Sequence, residues 1–255
     1  MSVWNSSASE MRLTTHEKDW QEMAKLDPLW AILSAPEKQY NRWDYRAFFQ
    51  TGEREVAALV AEAKELGYPV RWGRALDFGC GIGRVTRALH TYFPECYGVD
   101  ISSEMVRRAH EFAPGCHFHV NKEMNLRVFD DSYFDLIYSV IVLQHQPNRA
   151  VALAYVSELV RVLGRDGLLV FQLPSYIPVR NRIQGRRRVY TLLHRMGCNS
   201  NFLYRSLRLT PIRMVYAPEK EVLSVIRSCG GRVLNVRPDD RAGCPCESRT
   251  YYVSR

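Results

Sequence analysis

Two aspartates, Asp77 and Asp100, flank a glycine-rich turn in the stretch Leu76-Asp77-Phe78-Gly79-Cys80-Gly81-Ile82-Gly83-Arg84. Glycines let backbone amides approach a ligand closely, and the helix start that follows favours negative charge. Asp77, just ahead of the turn, would repel a pyrophosphate but attract an ammonium group. A dinucleotide fingerprint would also need its third glycine at position 84, where Arg84 stands. Asp100, 21 residues beyond Gly79, can accept hydrogen bonds from two vicinal ribose hydroxyls. Amine, carboxylate and unphosphorylated ribose together describe S-adenosylmethionine. The competing reading of Asp100 is a cap for the helix that begins at Ser102.

These residues need a scaffold, and the apolar pattern supplies one by alternation. A helix over Glu53 to Leu66 stops at Gly67, and Arg74 to Phe78 reads as a strand leading into the turn and a helix beyond it. Cys96 to Ile101, Cys116 to Val120, Phe134 to Val142 and Gly167 to Leu173 read as further strands. Between them lie a helix starting at Ser102 or Ser103 and a helix over Arg149 to Leu163 closed by Gly164. Continuous apolar strands separated by helices predict a parallel sheet covered on both faces. After a helix over Pro218 to Cys229, the runs Arg232 to Val236 and Thr250 to Val253 have only a loop between them, so the sheet should end in an antiparallel hairpin.

With these residues in place, the stretch 74 to 174 resembles the class I S-adenosylmethionine-dependent methyltransferases of the broad small-molecule group. The likeness is carried by LDFGCGIGR, GVDIS, FDLIYSVIVLQH and LVRVLGRDGLLVF. It implies an α/β, doubly wound, seven-stranded, Rossmann-like sheet with an antiparallel last strand. It also implies that Asp77, Gly79 and Gly81 hold the methionine end of the cofactor, Asp100 the ribose, and Ile101 and Met105 the adenine face. Met105 reads equally well as an interior residue of its helix. Beyond the third strand the text departs from the family pattern, and Glu123 and Met124 are the positions favoured for the adenine edge, with Asn125 as the alternative. Ser139 on the fourth strand completes the implied cofactor set. A single methyltransferase domain over 1–255 is expected. Its parts are a helical cover (1–50), a cofactor core (52–174), an insertion (175–218) and a closing helix and hairpin (219–255).

The acceptor side is less legible. His145, beyond the fourth strand, is the best-placed titratable group for a general base, and the competing reading is a loop histidine ordering the turn before Pro147. His117 and His119 share a strand face, but no third ligand accompanies them, so no metal is expected. Trp20, Met23 and Ala24 recur at helical spacing, which fits packing against the domain or a lid closing over the cofactor with Tyr40, Trp43 or Arg46 nearby.

Charge concentrates in one place. The chain has 255 residues, 35 basic and 27 acidic, for a net charge of +8. Nine of the arginines lie between 175 and 218, which holds no Asp, Glu or Lys, so the remainder is close to neutral. Three readings of this insertion compete. It could bind a phosphorylated or acidic small acceptor, with contact to an anionic membrane surface as a variant. It could bind RNA through phosphate contacts and aromatic stacking, which makes nucleic acid a weaker but open partner. Or it is a solvated face whose Leu192, Leu193, Leu203 and Leu207 pack inward. No Asn-Pro-Pro-aromatic motif follows the fourth strand, which argues against adenine or glutamine N-methylation. Seven scattered cysteines, Cys244-Pro245-Cys246 the only tight pair, suggest a reduced protein rather than a disulfide framework. With no secretory signal and no apolar run near 18 residues, a soluble cytoplasmic protein is expected. The reading is methyl transfer to a hydroxyl or amine of a small, acidic or neutral metabolite. The alternatives are an RNA methyltransferase or a non-catalytic relative that binds cofactor or RNA. Oligomeric state is not legible.

Overall fold

Local stop and start signals divide the chain. The computed structural model describes residues 6–243 and 245–255, with side chains described from Leu13 onward, so Cys244 lies outside the described residues. Helices α1 (Ser6–Leu26) and α2 (Pro28–Ile32) precede α3 (Tyr45–Leu66). Helix α3 starts ahead of the expected Glu53 because Asp44 caps it, accepting from Ala47 N at 2.8 Å, and its added turns bury Phe48 and Phe49. Gly67, at φ 71°, ends it in the left-handed conformation that glycine adopts without steric cost.

There follow β1 (Arg74–Phe78), α4 (Arg84–Leu89), β2 (Glu95–Asp100), α5 (Ser103–Phe112), β3 (His117–Val120), β4 (Phe134–Ser139), α6 (Arg149–Val162) and β5 (Leu163–Tyr176). Helices α7 (Val179–Arg182), α8 (Gly185–Arg195) and α9 (Ser200–Arg205) form the insertion, before α10 (Glu219–Ser228), β6 (Arg232–Asp239) and β7 (Glu247–Ser254). The strands form one sheet in the order β3-β2-β1-β4-β5-β7-β6, parallel except for β7, which pairs antiparallel with both β5 and β6. Strand order reverses at β1, so a crevice opens beyond the carboxyl ends of β1 and its neighbours.

Two further boundaries that differ from the sequence expectation bear on the site and the sheet. The fourth strand ends at Ser139 rather than Val142, because Ile141 turns to φ 60°. That backbone is unfavourable for a β-branched residue, and the Gln172 side chain holds it by accepting from Ile141 N at 3.0 Å. Gly164 does not close α6; the helix passes directly into β5, and Gly164 lies within that strand, where a Cβ would sit 3.0 Å from the Phe134 carbonyl oxygen.

The sheet buries apolar side chains on both faces. Leu76, Ile137 and Phe171 pack against α6 and α10, while Ala75, Leu136 and Val170 pack against α3 and α4. A third cluster joins Met23, Ala24 and Leu29 of the amino-terminal helices to Phe48, Met105 and Tyr204. Among the described residues no helix is long and apolar enough to cross a membrane.

Candidate functional site

A cleft of about 990 Å³, open solvent at its mouth included, lies at the carboxyl ends of β1, β2 and β4. The turn after β1 forms its floor. Gly79 stands at φ 83°, and a Cβ there would come within 2.3 Å of Val142. Gly81 stands at φ 53°, and a Cβ there would come within 2.5 Å of Ile32 on α2. The turn is therefore a backbone cradle closed from above by two other segments, which is why side chains are excluded from it.

Asp77 and Asp100 sit on either side of that cradle. Asp77 is buried, accepts from Thr86 Oγ1 at 2.7 Å, and burial pushes its carboxyl up to about 6 against the pull of Thr86 and Arg84. Asp100 accepts from Gly81 N and Ser102 N, each at 2.9 Å. Burial raises its pKa, and those backbone donors oppose the rise. Two of its four lone-pair positions are used, which leaves acceptors for a diol. Ser102, not Asp100, caps α5, accepting from Met105 N at 3.2 Å. Ile101 and Met105 both line the cleft, and Met105 is at the same time fully buried in the third cluster.

Four expected site residues fall elsewhere. Glu123 and Met124 do not line the cleft; Asn121 does. The Asn121 amide donates to the carbonyls of Glu123 and Asn125 at 3.2 and 3.0 Å, folding the loop back on itself so that Glu123 is exposed and Met124 packs toward the core. Ser139 is buried with its hydroxyl unpartnered, while its neighbours Tyr138 and Val140 face the cleft. His145 is also absent from the lining. Its Nδ1 meets the Arg213 carbonyl at 2.6 Å and its Nε2 meets Gln144 at 3.1 Å, and burial lowers its pKa to about 4. With Nδ1–H donating to a carbonyl and Nε2 accepting from an amide, the ring ties the β4–α6 loop to the insertion.

The remaining wall combines Trp20, expected from its helical spacing, with His16 and Glu55, which the sequence did not single out. His16 and Trp20, one turn apart on α1, line the cleft and pack edge to face at 6.2 Å. His16 is buried with Nδ1 unpartnered, and burial, reinforced by Arg213, lowers its pKa to about 3. Arg84 pairs with Glu55 of α3 at 2.6 Å, and Glu55 also accepts from Tyr138 OH at 2.6 Å and from Arg241 at 2.7 Å. Burial alone would raise Glu55, yet Arg84 and Arg241 hold it down at about 2. Arg84 Nε remains buried and unpartnered beside the cradle. The i, i+4 relation of His16 to Trp20 was the one available signal for His16; the partner of Arg84 carried none.

His117 and His119 share a strand face as expected and stack on Tyr97, with centroids 4.8 and 6.4 Å away. Of the lid aromatics, Trp20 reaches the cleft, whereas Tyr40 and Trp43 pack on Tyr204 and Phe48 and Arg46 is exposed. No arginine of 175–218 lines the cleft among the described residues.

Residues 76–171 match the family described as a methyltransferase domain. The match covers less than half of the chain and includes the glycine turn, Asp77 and Asp100. This chain is 39% identical over 99 residues to 2-methyl-6-phytyl-1,4-hydroquinone methyltransferase of Synechocystis, a match covering 37% of this chain and 30% of that protein. It is 32% identical over 116 residues to trans-aconitate 2-methyltransferase of Rhodopseudomonas palustris, covering 44% and 43%. The chain spans at most half the length of the curated relatives it matches. Among solved structures, magnesium protoporphyrin IX methyltransferase of Synechocystis with bound SAH shares the fold at TM-score 0.60 and 21% identity, over 96% of this chain and 99% of that one. The cradle fits such a cofactor by its own geometry. The glycine turn, the buried Asp77 carboxylate and the Arg84 side chain line one cleft together with Asp100, whose carboxylate accepts from Gly81 N.

Proposed function

We propose that the chain transfers a methyl group from S-adenosylmethionine to a hydroxyl or amine of a small molecule. The observation that carries the reading is the placement of Asp77 and Asp100 at opposite ends of one glycine cradle, both facing a single cleft. When bound, the cofactor supplies a methyl group on a positively charged sulfur. Asp77 would hold the ammonium group, Arg84 and the backbone of the turn the carboxylate, Asp100 the ribose hydroxyls, and Ile101, Met105 and Asn121 the adenine.

The acceptor would enter beside His16, Trp20, Val140, Val142 and Gln146. Trp20 and the valines favour an apolar body and exclude water, which strengthens every polar contact in the cleft. His16, kept neutral by burial, presents an unpartnered ring nitrogen able to accept a hydrogen bond from an acceptor hydroxyl or amine. An acidic acceptor draws no support from the cleft wall, because Arg84, the arginine that lines it among the described residues, is paired with Glu55 and lies on the cofactor's side of the cleft.

Isothermal titration with S-adenosylmethionine and its demethylated product tests cofactor binding, and incubation with fractionated metabolites and a labelled methyl donor tests transfer. Binding without any labelled product would leave a non-catalytic relative. Once an acceptor is in hand, His16→Ala should cut turnover by about tenfold or more while cofactor affinity stays within twofold. The same result from His145→Ala with His16→Ala unaffected would return the role to His145.

A further inference from the structure

The insertion presents an amphipathic surface that the methyl-transfer site does not use. Among the described residues, eight of the thirteen exposed large apolar side chains lie between 176 and 207. They fall at helical spacing. On α8 Val189 and Leu192, with Met196 at its C-cap, at i, i+3 and i+7, are 47%, 60% and 72% exposed. On α7 Val179 and the following Ile183, at i and i+4, are 67% and 55% exposed. The expectation that Leu192 and Leu207 pack inward fails, since only Leu193 and Leu203 join the small core under these helices. Exposed stripes of this kind mark a surface that meets a partner.

Charge states which partner. Arg180, Arg186, Arg188, Arg195, Arg205 and Arg208 are all exposed on the same helices and loops, in a segment without a single acidic residue or lysine. By contrast Arg187 and Arg213 are committed to Asp19 of α1, at 3.3 and 2.9 Å. RNA would need several aromatic faces for stacking, but Tyr190 and Tyr204 are buried and donate to Glu22 and Asp27 of the cover, and Arg182 lies over the Tyr176 ring at 5.3 Å, which leaves Phe202 as the one open ring among the exposed apolar residues of the segment. What remains outward is six aliphatic side chains with Tyr176 and Phe202 at the margins, among exposed arginines, the composition of helices that lie in a lipid interface.

We propose that α7 and α8 form a docking face for an anionic lipid surface, with Val179, Ile183, Val189, Leu192 and Met196 entering the acyl boundary and the exposed arginines meeting the headgroups. The face is continuous with the cover of the cleft, because the same insertion braces α1 through Asp19 and Glu22.

Co-sedimentation of the full chain with phosphatidylcholine vesicles, with and without phosphatidylglycerol, tests this. Binding should require the anionic lipid and weaken as salt rises. Leu192→Asp combined with Met196→Asp should lower partitioning by about tenfold or more. Arg188→Glu combined with Arg195→Glu should remove most of the salt-sensitive part. Titration with S-adenosylhomocysteine, unchanged in each variant, verifies the fold. The proposal fails if the two vesicle types bind alike, or if the folded Leu192→Asp, Met196→Asp variant keeps its affinity. It also fails if the chain binds an RNA oligonucleotide but no vesicle, or if the stripe is found covered by a second copy in light scattering.

Discussion

Burial sets Asp77 against its own charge, and that conflict is measurable in two opposite directions. Its carboxyl titrates near 6 in the folded chain, against 3.8 when exposed. Between those values the folded state binds more protons than the unfolded one, so stability falls as pH rises from about 4 to about 6 and then levels. The span corresponds to an upper size on the order of 3 kcal/mol. Urea unfolding of the ligand-free chain across that range should show the slope, and Asp77→Asn should flatten it. Affinity for an aminated cofactor should run the other way, rising by up to about tenfold per unit below pH 6 and reaching a plateau above it, since the ionised carboxylate is the binding form. Calorimetry that finds the same pH dependence in Asp77→Asn would show that another group receives the amine.

At the scale of elements, the site depends on how closely the β4–α6 loop approaches the glycine turn. Gly79→Ala combines a left-handed backbone, about 1–2 kcal/mol for a non-glycine residue, with a clash against Val142. Denaturation should show a loss of about 2–3 kcal/mol, and adding Val142→Ala should recover the steric part while the backbone part stays. Full recovery would mean that φ at this position relaxes. The same two elements show what was legible in the sequence and what was not. Backbone demands and charge are written in residue types, so Gly79, Gly81, Asp77 and Asp100 could be read directly. The sheet followed from alternation, including the terminal hairpin, because strands buried on both faces are continuously apolar. The end of β4 was hidden, because Val140, Ile141 and Val142 prolong the apolar run and the bend is held by a hydrogen bond that Ile141 N donates to distant Gln172. Glu123 and Met124 looked placed for the adenine edge until the Asn121 amide, one residue beyond β3, folded the loop away. His16 and Glu55 belong to α1 and α3, whose packing over the cleft no local pattern encodes.

The whole molecule adds a coupling that neither residue nor element reveals. Helix α1 turns His16 and Trp20 toward the cleft and Asp19 and Glu22 toward the insertion, while Asp27 just beyond it accepts from Tyr204 at 2.7 Å. Cover and insertion thus share one set of bonds, and neither packs on the sheet as broadly as α3 or α6 does. A ligand that rests on α1 and α2 stabilises both in proportion to its occupancy, because any opening that frees α1 also breaks the contacts to α8 and α9. Hydrogen exchange should therefore show residues 13–32 and 185–205 gaining protection together on addition of S-adenosylhomocysteine. Asp19→Ala, which releases Arg187 and Arg213 at once, should uncouple them, leaving the gain at 13–32 and removing most of it from 185–205. Protection confined to the cover in the unaltered chain would show that the insertion is held by its own core of Tyr190, Leu203 and Leu209 and takes no part in closing the cleft.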